Sequence, residues 1–291
     1  MENKPMDLLE SIKAGMNKFS KGQKLIANYI INHYDKASFM TAAKLGATVG
    51  VSESTVVRFA NELGFDGYPK FQKSLQELIK SKLTAVQRIE ISKERINEEN
   101  IIKSVLQSDM EKIKLTLEEI DTHEFNGIVE KLLTANKIFI LGVRSSAALA
   151  SFMGFYFNLI FDDVRHIHTT SVSEMFEQII KAGTGDVVIG ISFPRYSRRT
   201  IKAMQFARSK GATTIAITDR IDSPLALQAD YKLIARSDMA SFADSLVAPL
   251  SVINALIVAL GLRKKERLAE VFENLEVIWD EYQVYEKNDN K

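Results

Sequence analysis

The chain has 291 residues, 46% hydrophobic and 26% charged, with a formal net charge of +1, which accommodates two ordinary globular domains with their own cores. It contains no Cys, which excludes a disulfide framework, Cys-ligated zinc and thiol catalysis, and fits a reducing compartment. The opening residues MENKPMDLLE carry no apolar run of signal-peptide length, and the apolar runs Phe152–Phe161 and Leu256–Leu262 are too short to span a bilayer; a cytoplasmic protein with no membrane partner is expected.

Residues 1–80 show only helical periodicity and hold 11 Lys/Arg against 8 Asp/Glu, a net +3. That bias is too weak to imply nucleic acid by itself; the local pattern implies it. Thr41 is placed to cap a helix running to Val49, with Ala42, Leu45 and Val49 on one face. Gly50 allows the left-handed turn that ends it, Val51 is an apolar plug, and Ser52 caps a second helix from Glu53 to Leu63, closed by Gly64. Val56, Phe59, Ala60 and Leu63 form the buried face of that second helix. A helix, a short Gly turn and a second capped helix make a helix-turn-helix, whose second helix enters the DNA major groove by its N-terminal residues. Those residues are Ser52, Glu53, Ser54, Thr55 and Arg58. Ser and Thr hydroxyls bond base edges or phosphate, and Arg pairs bidentately with guanine. Thr41, and Tyr68, Lys70 and Lys73 beyond the second helix, are candidates for contacts that position the domain on the duplex.

Residues 81–121 have no Pro or Gly and are rich in Lys, Glu, Ile and Leu, with an amphipathic helix over Ile101–Ile120; they read as a helical linker or dimerisation segment. Residues 122–262 alternate short β-branched runs with helical stretches, the signature of βαβ units. Strands are expected at Lys137–Gly142, Val164–His168, Asp186–Ile191, Thr213–Thr218 and Tyr231–Ile234. Helices are expected near Ser145–Ile160, Val172–Ile180, Arg198–Lys210 and Phe242–Leu260, and a last charged helix over Lys264–Tyr285 within residues 263–291. The fold class is therefore an all-α helix-turn-helix domain joined to a doubly wound, flavodoxin-like α/β domain with five parallel strands. Such sheets bind ligands at the carboxyl ends of the strands, near a topological switch point.

Three loops at those ends carry the residue types that hold a phosphate or a sugar. In LGVRSSAALA, Gly142 ends a strand, Arg144 follows, and Ser145 and Ser146 open a helix whose free N–H groups favour an anion. In GISFPRYSRRT, Ser192, Ser197 and Thr200 supply hydroxyls, and Arg195, Arg198 and Arg199 supply charge. In AITDRIDSPLA, Asp219 and Ser223 end a strand and cap a short helix. Each loop alone also reads as an ordinary capped βα turn; two Ser-rich loops with three Arg point to a small anionic ligand.

These segments, TAAKLGATVGVSESTVVRFANELGFDGYPKFQ, LGVRSS, ISFPRYSRRT, ITD with SPLA, and SFADSLVAPLSVINALI, in this order and spacing, resemble the RpiR/MurR family of bacterial transcription regulators. That family joins a helix-turn-helix domain to a sugar isomerase (SIS) domain, and the resemblance covers nearly the whole chain. It implies a homodimer or homotetramer on double-stranded operator DNA. It also implies a phosphorylated sugar or related metabolite in the SIS domain that changes operator affinity and so controls carbohydrate metabolism genes. The second SIS loop is often Ser-x-Ser-Gly-x-Thr/Ser; here Pro194 and Arg195 stand for the second Ser and the Gly, leaving Ser192 and Ser197 matched. The lost Gly removes an easy approach of backbone to phosphate, for which the charge of Arg195 can compensate, so that a sugar phosphate, a sugar acid or another small anion all fit this loop.

The alternative is a sugar-phosphate isomerase, which needs a general base near the sugar carbon. Glu174 in SVSEMFEQ is the one carboxylate to nominate, and it reads more readily as a solvated first-turn Glu supporting its helix dipole. His166 and His168 share one face of a strand without carboxylates at ligand spacing. No Ser–His–Asp arrangement and no Walker-type loop is visible, so no catalytic residue, metal or cofactor is assigned.

Overall fold

The computed structural model describes residues 8–80, 83–84, 86–90, 100–169, 171–237 and 243–285. The chain divides into two compact units at Ser104–Val105. This divide falls inside the helix expected as the linker, because that helix's second half is bonded into the second unit: the Thr116 hydroxyl accepts from the Arg236 amide at 2.9 Å, and the Asp109 carboxylate accepts from the Ser245 hydroxyl at 2.5 Å.

The first unit consists of α1 (Leu8–Gly15), α2 (Lys21–Asn32), α3 (Tyr34–Ala37), α4 (Ala42–Val49), α5 (Glu53–Glu62) and α6 (Tyr68–Lys80). Ser20 starts α2 with a capping box: its hydroxyl accepts from the Gln23 amide, and the Gln23 side chain accepts from the Ser20 amide. Ile12, Ile26, Ile30, Leu45, Val56, Phe59, Phe71 and Leu75 are buried together. Phe59 is the centre of this core, edge-on to Phe19 at 5.2 Å and to Phe71 at 5.9 Å; burying such a ring stabilises by roughly 1.5–3 kcal/mol.

The second unit opens with α7 (Ile101–Glu119) and α8 (Thr122–Leu133). The sequence reading did not separate α8 as a helix; it is started by Asp121, whose carboxylate accepts from the amides of His123 and Glu124. Then come β1 (Ile138–Gly142), α9 (Ser146–Ile160), β2 (Val164–Ile167), α10 (Val172–Ile179), β3 (Val187–Ile191), α11 (Arg198–Ser209), β4 (Thr213–Thr218), β5 (Tyr231–Ile234), α12 (Val247–Arg263) and α13 (Lys265–Glu281). The five strands form one parallel sheet in the order β2-β1-β3-β4-β5. Each element lies within a few residues of its expected range; α12 starts later than expected, and Phe242 is outside the described residues.

Burial on both faces explains the continuous apolar runs of β1 and β3. Ile138, Ile140, Ile189, Ile191, Ile215 and Ile217 pack against α8, α9 and α12. Phe139, Leu141, Val188 and Ala216 pack on the opposite face against α10 and α11. The helix after β1 and the helix after β3 thus cover opposite faces, which puts the switch point between these two neighbouring strands. A bend of 96° separates α12 from α13, and no single helix among the described residues is long and apolar enough to cross a membrane.

Candidate DNA-reading helix and ligand crevice

The helix-turn-helix is assembled by two caps and two glycines. Thr41 accepts from the Lys44 amide at 3.2 Å and starts α4. Gly50 ends it with φ +75°. Inside α4, Gly46 was not singled out from the sequence, yet it fixes the turn: a Cβ there would lie 2.7 Å from the Val51 carbonyl oxygen. The Val51 amide donates back to the Gly46 carbonyl at 2.9 Å. An interior helix Gly costs about 1 kcal/mol against Ala, so its presence was itself the signal of a close approach.

Ser52 starts α5, accepting from the Thr55 amide at 3.3 Å, with its hydroxyl 2.9 Å from those of Ser54 and Thr55. Ser52, Glu53, Ser54 and Arg58 are exposed, and Thr55 is half-buried. The Arg58 guanidinium folds back on this turn, donating to the Ser54 carbonyl and the Thr55 hydroxyl. The structure thus gathers these five side chains into one polar, open first turn. Lys70 and Lys73 are exposed on α6, Lys70 paired with Asp66 at 2.6 Å.

Tyr68 corrects the sequence reading. It is 4% exposed, and its hydroxyl donates to the Met40 carbonyl at 2.8 Å; burial pushes this phenol well above its ordinary range. Tyr68 packs the domain and has no open hydroxyl for a phosphate. Gln72 donates to the same carbonyl and Gln76 to the Ser38 carbonyl. Together they tie α6 to the turn before α4, a role that residue type and spacing did not announce.

In the second unit, the loops after β1 and β3 flank the switch point. Gly142 is required where β1 meets α9, since a Cβ would lie 2.5 Å from the Ser146 carbonyl oxygen. Arg144 then adopts φ +59°. Ser145 is exposed and caps nothing with its side chain, and Ser146 is buried. After β3, the buried Ser192 hydroxyl accepts from the Ser197 amide at 3.0 Å, and the Ser197 hydroxyl accepts from the Thr200 amide at 3.3 Å. Thr200, in the first turn of α11, is fully buried, and its hydroxyl has no partner among the described residues. Arg195 takes φ +65° and is exposed.

At the end of β4, Asp219 accepts from the Tyr196 hydroxyl at 2.8 Å. Burial, then the Asp219 charge, pushes that phenol far up. This bond ties the arginine-bearing loop to the neighbouring strand. Ser223 caps the short helix Ala226–Gln228 by accepting from the Ala226 amide at 3.1 Å; Asp219, expected to share that work, is used by Tyr196. Glu174 accepts from the Thr169 hydroxyl, and its amide is bonded by Ser171, so it stabilises the start of α10. His166 lies on the edge strand and His168 just beyond its end at Ile167, with ring centroids 5.4 Å apart. Among the described residues no group of three His, Asp or Glu is placed to hold a metal.

A helix-turn-helix with an open polar first turn, in one chain with a doubly wound domain that carries hydroxyls and arginines on the loops beside its switch point, is the architecture of a transcription regulator. Residues 6–82 match the rpiR-family helix-turn-helix domain and residues 131–259 match the SIS domain. The chain belongs to the RpiR-type helix-turn-helix transcriptional regulators. It is 27% identical over 268 residues to the HTH-type transcriptional regulator HexR of Escherichia coli, covering 89% of each chain. An uncharacterized HTH-type regulator of Caldanaerobacter subterraneus is 26% identical over 279 residues, 92% of this chain and 95% of the relative. The sugar isomerase domain of an RpiR transcription factor from Sphaerobacter thermophilus superposes with a TM-score of 0.58 at 27% identity, over 60% of this chain and 98% of that one. The Vibrio vulnificus NanR protein complexed with ManNAc-6P shares the fold over 93% of this chain and 97% of its own, with a TM-score of 0.56 at 22% identity.

Proposed function

We propose that this regulator reads operator DNA through Ser52, Glu53, Ser54, Thr55 and Arg58, and that a small phosphorylated sugar or related anion at the switch point changes its operator affinity. The observation that carries the ligand half is Thr200: a fully buried, unpartnered hydroxyl in the first turn of α11, beside the hydroxyls of Ser192 and Ser197. A buried hydroxyl without a partner costs about 1–3 kcal/mol, which a bound phosphate oxygen at the helix N-terminus recovers. NanR, a protein of the same fold, was captured with a sugar phosphate. On this reading the protein works in the cytoplasm and performs no catalysis; Glu174 accepts from the Thr169 hydroxyl and Asp219 from the Tyr196 hydroxyl.

A homodimer suits the exposed apolar surface of α9, α12 and α13. Phe155, Tyr156, Val258, Leu262 and Phe272 are 65%, 36%, 53%, 71% and 37% exposed, and all but Phe155 line a groove of about 490 Å³. Together they present roughly 500 Å² per protomer, taking about 200 Å² for each aromatic ring. Twice that is about 1,000 Å², the lower bound for a specific interface, and a two-fold axis places the same patch on both partners.

Purified protein should retard DNA from its own upstream region at low salt and release it steeply as salt rises, as phosphate contacts dictate. Sugar phosphates should change that affinity, and Ser192→Ala or Thr200→Val should abolish the response while leaving DNA binding intact. Absence of a shift on every upstream fragment, or turnover of a sugar phosphate that is lost in Glu174→Gln, would overturn this function.

A further inference from the structure

Building on that ligand-binding reading, we infer that the effector carries two separate anionic groups: a phosphate on the α11 N-terminus, and a second anion gripped by Arg144 and Arg195. Three non-glycine residues among those described have positive φ, and two of them are these arginines, at +59° and +65°. The third, Gln283, follows α13. The two arginines stand on the loops that follow neighbouring strands. Arg144 lies two residues beyond Gly142 and Arg195 four beyond Ile191, and Gly142 and Ile191 are partners in the β1–β3 register. Neighbouring strands are about 4.8 Å apart, so both loops rise from one edge of the sheet on the two sides of the switch point.

Both guanidiniums are exposed and, among the described residues, neither has a carboxylate partner; the same holds for Arg198 at the start of α11. The carboxylate at the end of β4 is bonded to Tyr196 instead. A phosphomonoester carries about −1.5 to −2 charge. A helix N-terminus contributes about +0.5, and Arg198 supplies a full charge beside it. One phosphate is thereby nearly balanced, and Arg144 and Arg195 are left over. An exposed guanidinium on each of these two loops suits a second planar or tetrahedral oxyanion, which Arg binds bidentately. Both arginines hold left-handed backbone, which favours glycine; such strained residues cluster at ligand clamps.

The test compares glucose 6-phosphate, with one anionic group, against 6-phosphogluconate and fructose 1,6-bisphosphate, with two, by calorimetry on the full chain. At least one two-anion ligand should bind about tenfold tighter or more than glucose 6-phosphate. The double variant Arg144→Gly/Arg195→Gly keeps the backbone geometry, because glycine adopts positive φ without strain. It should erase that preference, weakening the two-anion ligands by about tenfold more than it weakens glucose 6-phosphate. Equal binding of one- and two-anion ligands, or an equal loss of all three in the variant, refutes the two-anion effector. The phosphate reading is judged separately: Thr200→Val should weaken every one of the three, and if it weakens none, the α11 site itself is wrong and the inference falls with it.

Discussion

Replacing Gly46 by Ala puts a methyl group 2.7 Å from the Val51 carbonyl oxygen, 3.3 Å from the Ser52 carbonyl carbon and 3.4 Å from the Glu53 amide nitrogen. All three neighbours are backbone, so no side chain can swing away. Restoring an ordinary contact requires the turn to move by about 0.7 Å, and it is already tied to Gly46 by the Val51 amide. Helix propensity favours Ala by about 1 kcal/mol. Overpacking against fixed backbone costs about 1–3 kcal/mol, and a weakened turn hydrogen bond about 1 kcal/mol more. The net expectation is a loss of about 1–3 kcal/mol, centred on the entry to α5. Hydrogen exchange on the full chain reads this locally: α4 and α5 amides should exchange roughly 5- to 150-fold faster, at about 1.4 kcal/mol per decade. The second unit should keep its protection. Operator affinity should fall, because the displaced residues begin the reading helix. Gly50 is the internal control: no atom lies within 4 Å of a Cβ there, but φ is +75°. Gly50→Asn should therefore be milder than Gly50→Ala, since Asn tolerates left-handed backbone, whereas Gly46→Asn should not improve on Gly46→Ala. Unchanged or slower exchange in Gly46→Ala with intact DNA binding would show that the close approach does not set the turn.

Arg58→Ala should weaken operator binding by about 1–3 kcal/mol and relax preference at one base pair; a footprint and base preference identical to the parent's would remove Arg58 from base reading. Tyr68→Phe should lower the stability of the first unit by about 1 kcal/mol, with Met40 still accepting from Gln72. The salt dependence of its DNA binding should not change, and a shallower salt slope would return Tyr68 to the phosphate contacts. His166 has its pKa lowered, by burial first and by His168 second. The fold therefore favours its neutral form. This stability is present above the unfolded value of about 6.5 and is lost as pH falls through the lower folded value. Denaturation midpoints of the second unit should drop between pH 7 and 5, and His166→Gln should flatten that decline; an equal decline in both proteins would assign it to other groups.

The central strands β1, β3 and β4 were legible because they are short, β-branched apolar runs buried on both faces, which length and composition separate from the helices around them. The caps at Thr41 and Ser52 were legible because each bonds the amide three residues on; Ser171 and Ser197 do the same without having been read as caps. What sequence could not show were contacts across long separations. Tyr68 looks like a phosphate ligand beside Lys70 until its hydroxyl meets Met40, 28 residues earlier. Asp219 looks like a cap until Tyr196, 23 residues earlier, takes its carboxylate. The amphipathic stretch over α7 was legible as a helix, but not as one bonded through Asp109 and Thr116 to residues more than a hundred positions away.

Arg195 shows how such a departure from pattern should be weighed. By composition, replacing a loop glycine with arginine trades backbone access for charge. In the structure the glycine-like conformation is kept, at φ +65°, so the loop retains its path and gains a guanidinium. A left-handed L-residue costs roughly 1–2 kcal/mol, and Arg144 incurs the same cost on the adjacent strand. The Tyr196–Asp219 bond next to Arg195 is worth about 1.5–3 kcal/mol, as expected for a hydrogen bond to a charged group, enough to hold the strained turn closed before any ligand arrives. Tyr196→Phe removes that restraint but leaves both arginines in place. If the turn is pre-set by Tyr196, this variant should weaken two-anion ligands by about three- to tenfold while Arg195 remains on the chain. If the affinity does not change, the left-handed turn is stable without the bond, and the strain is offset within the Pro194–Ser197 segment itself.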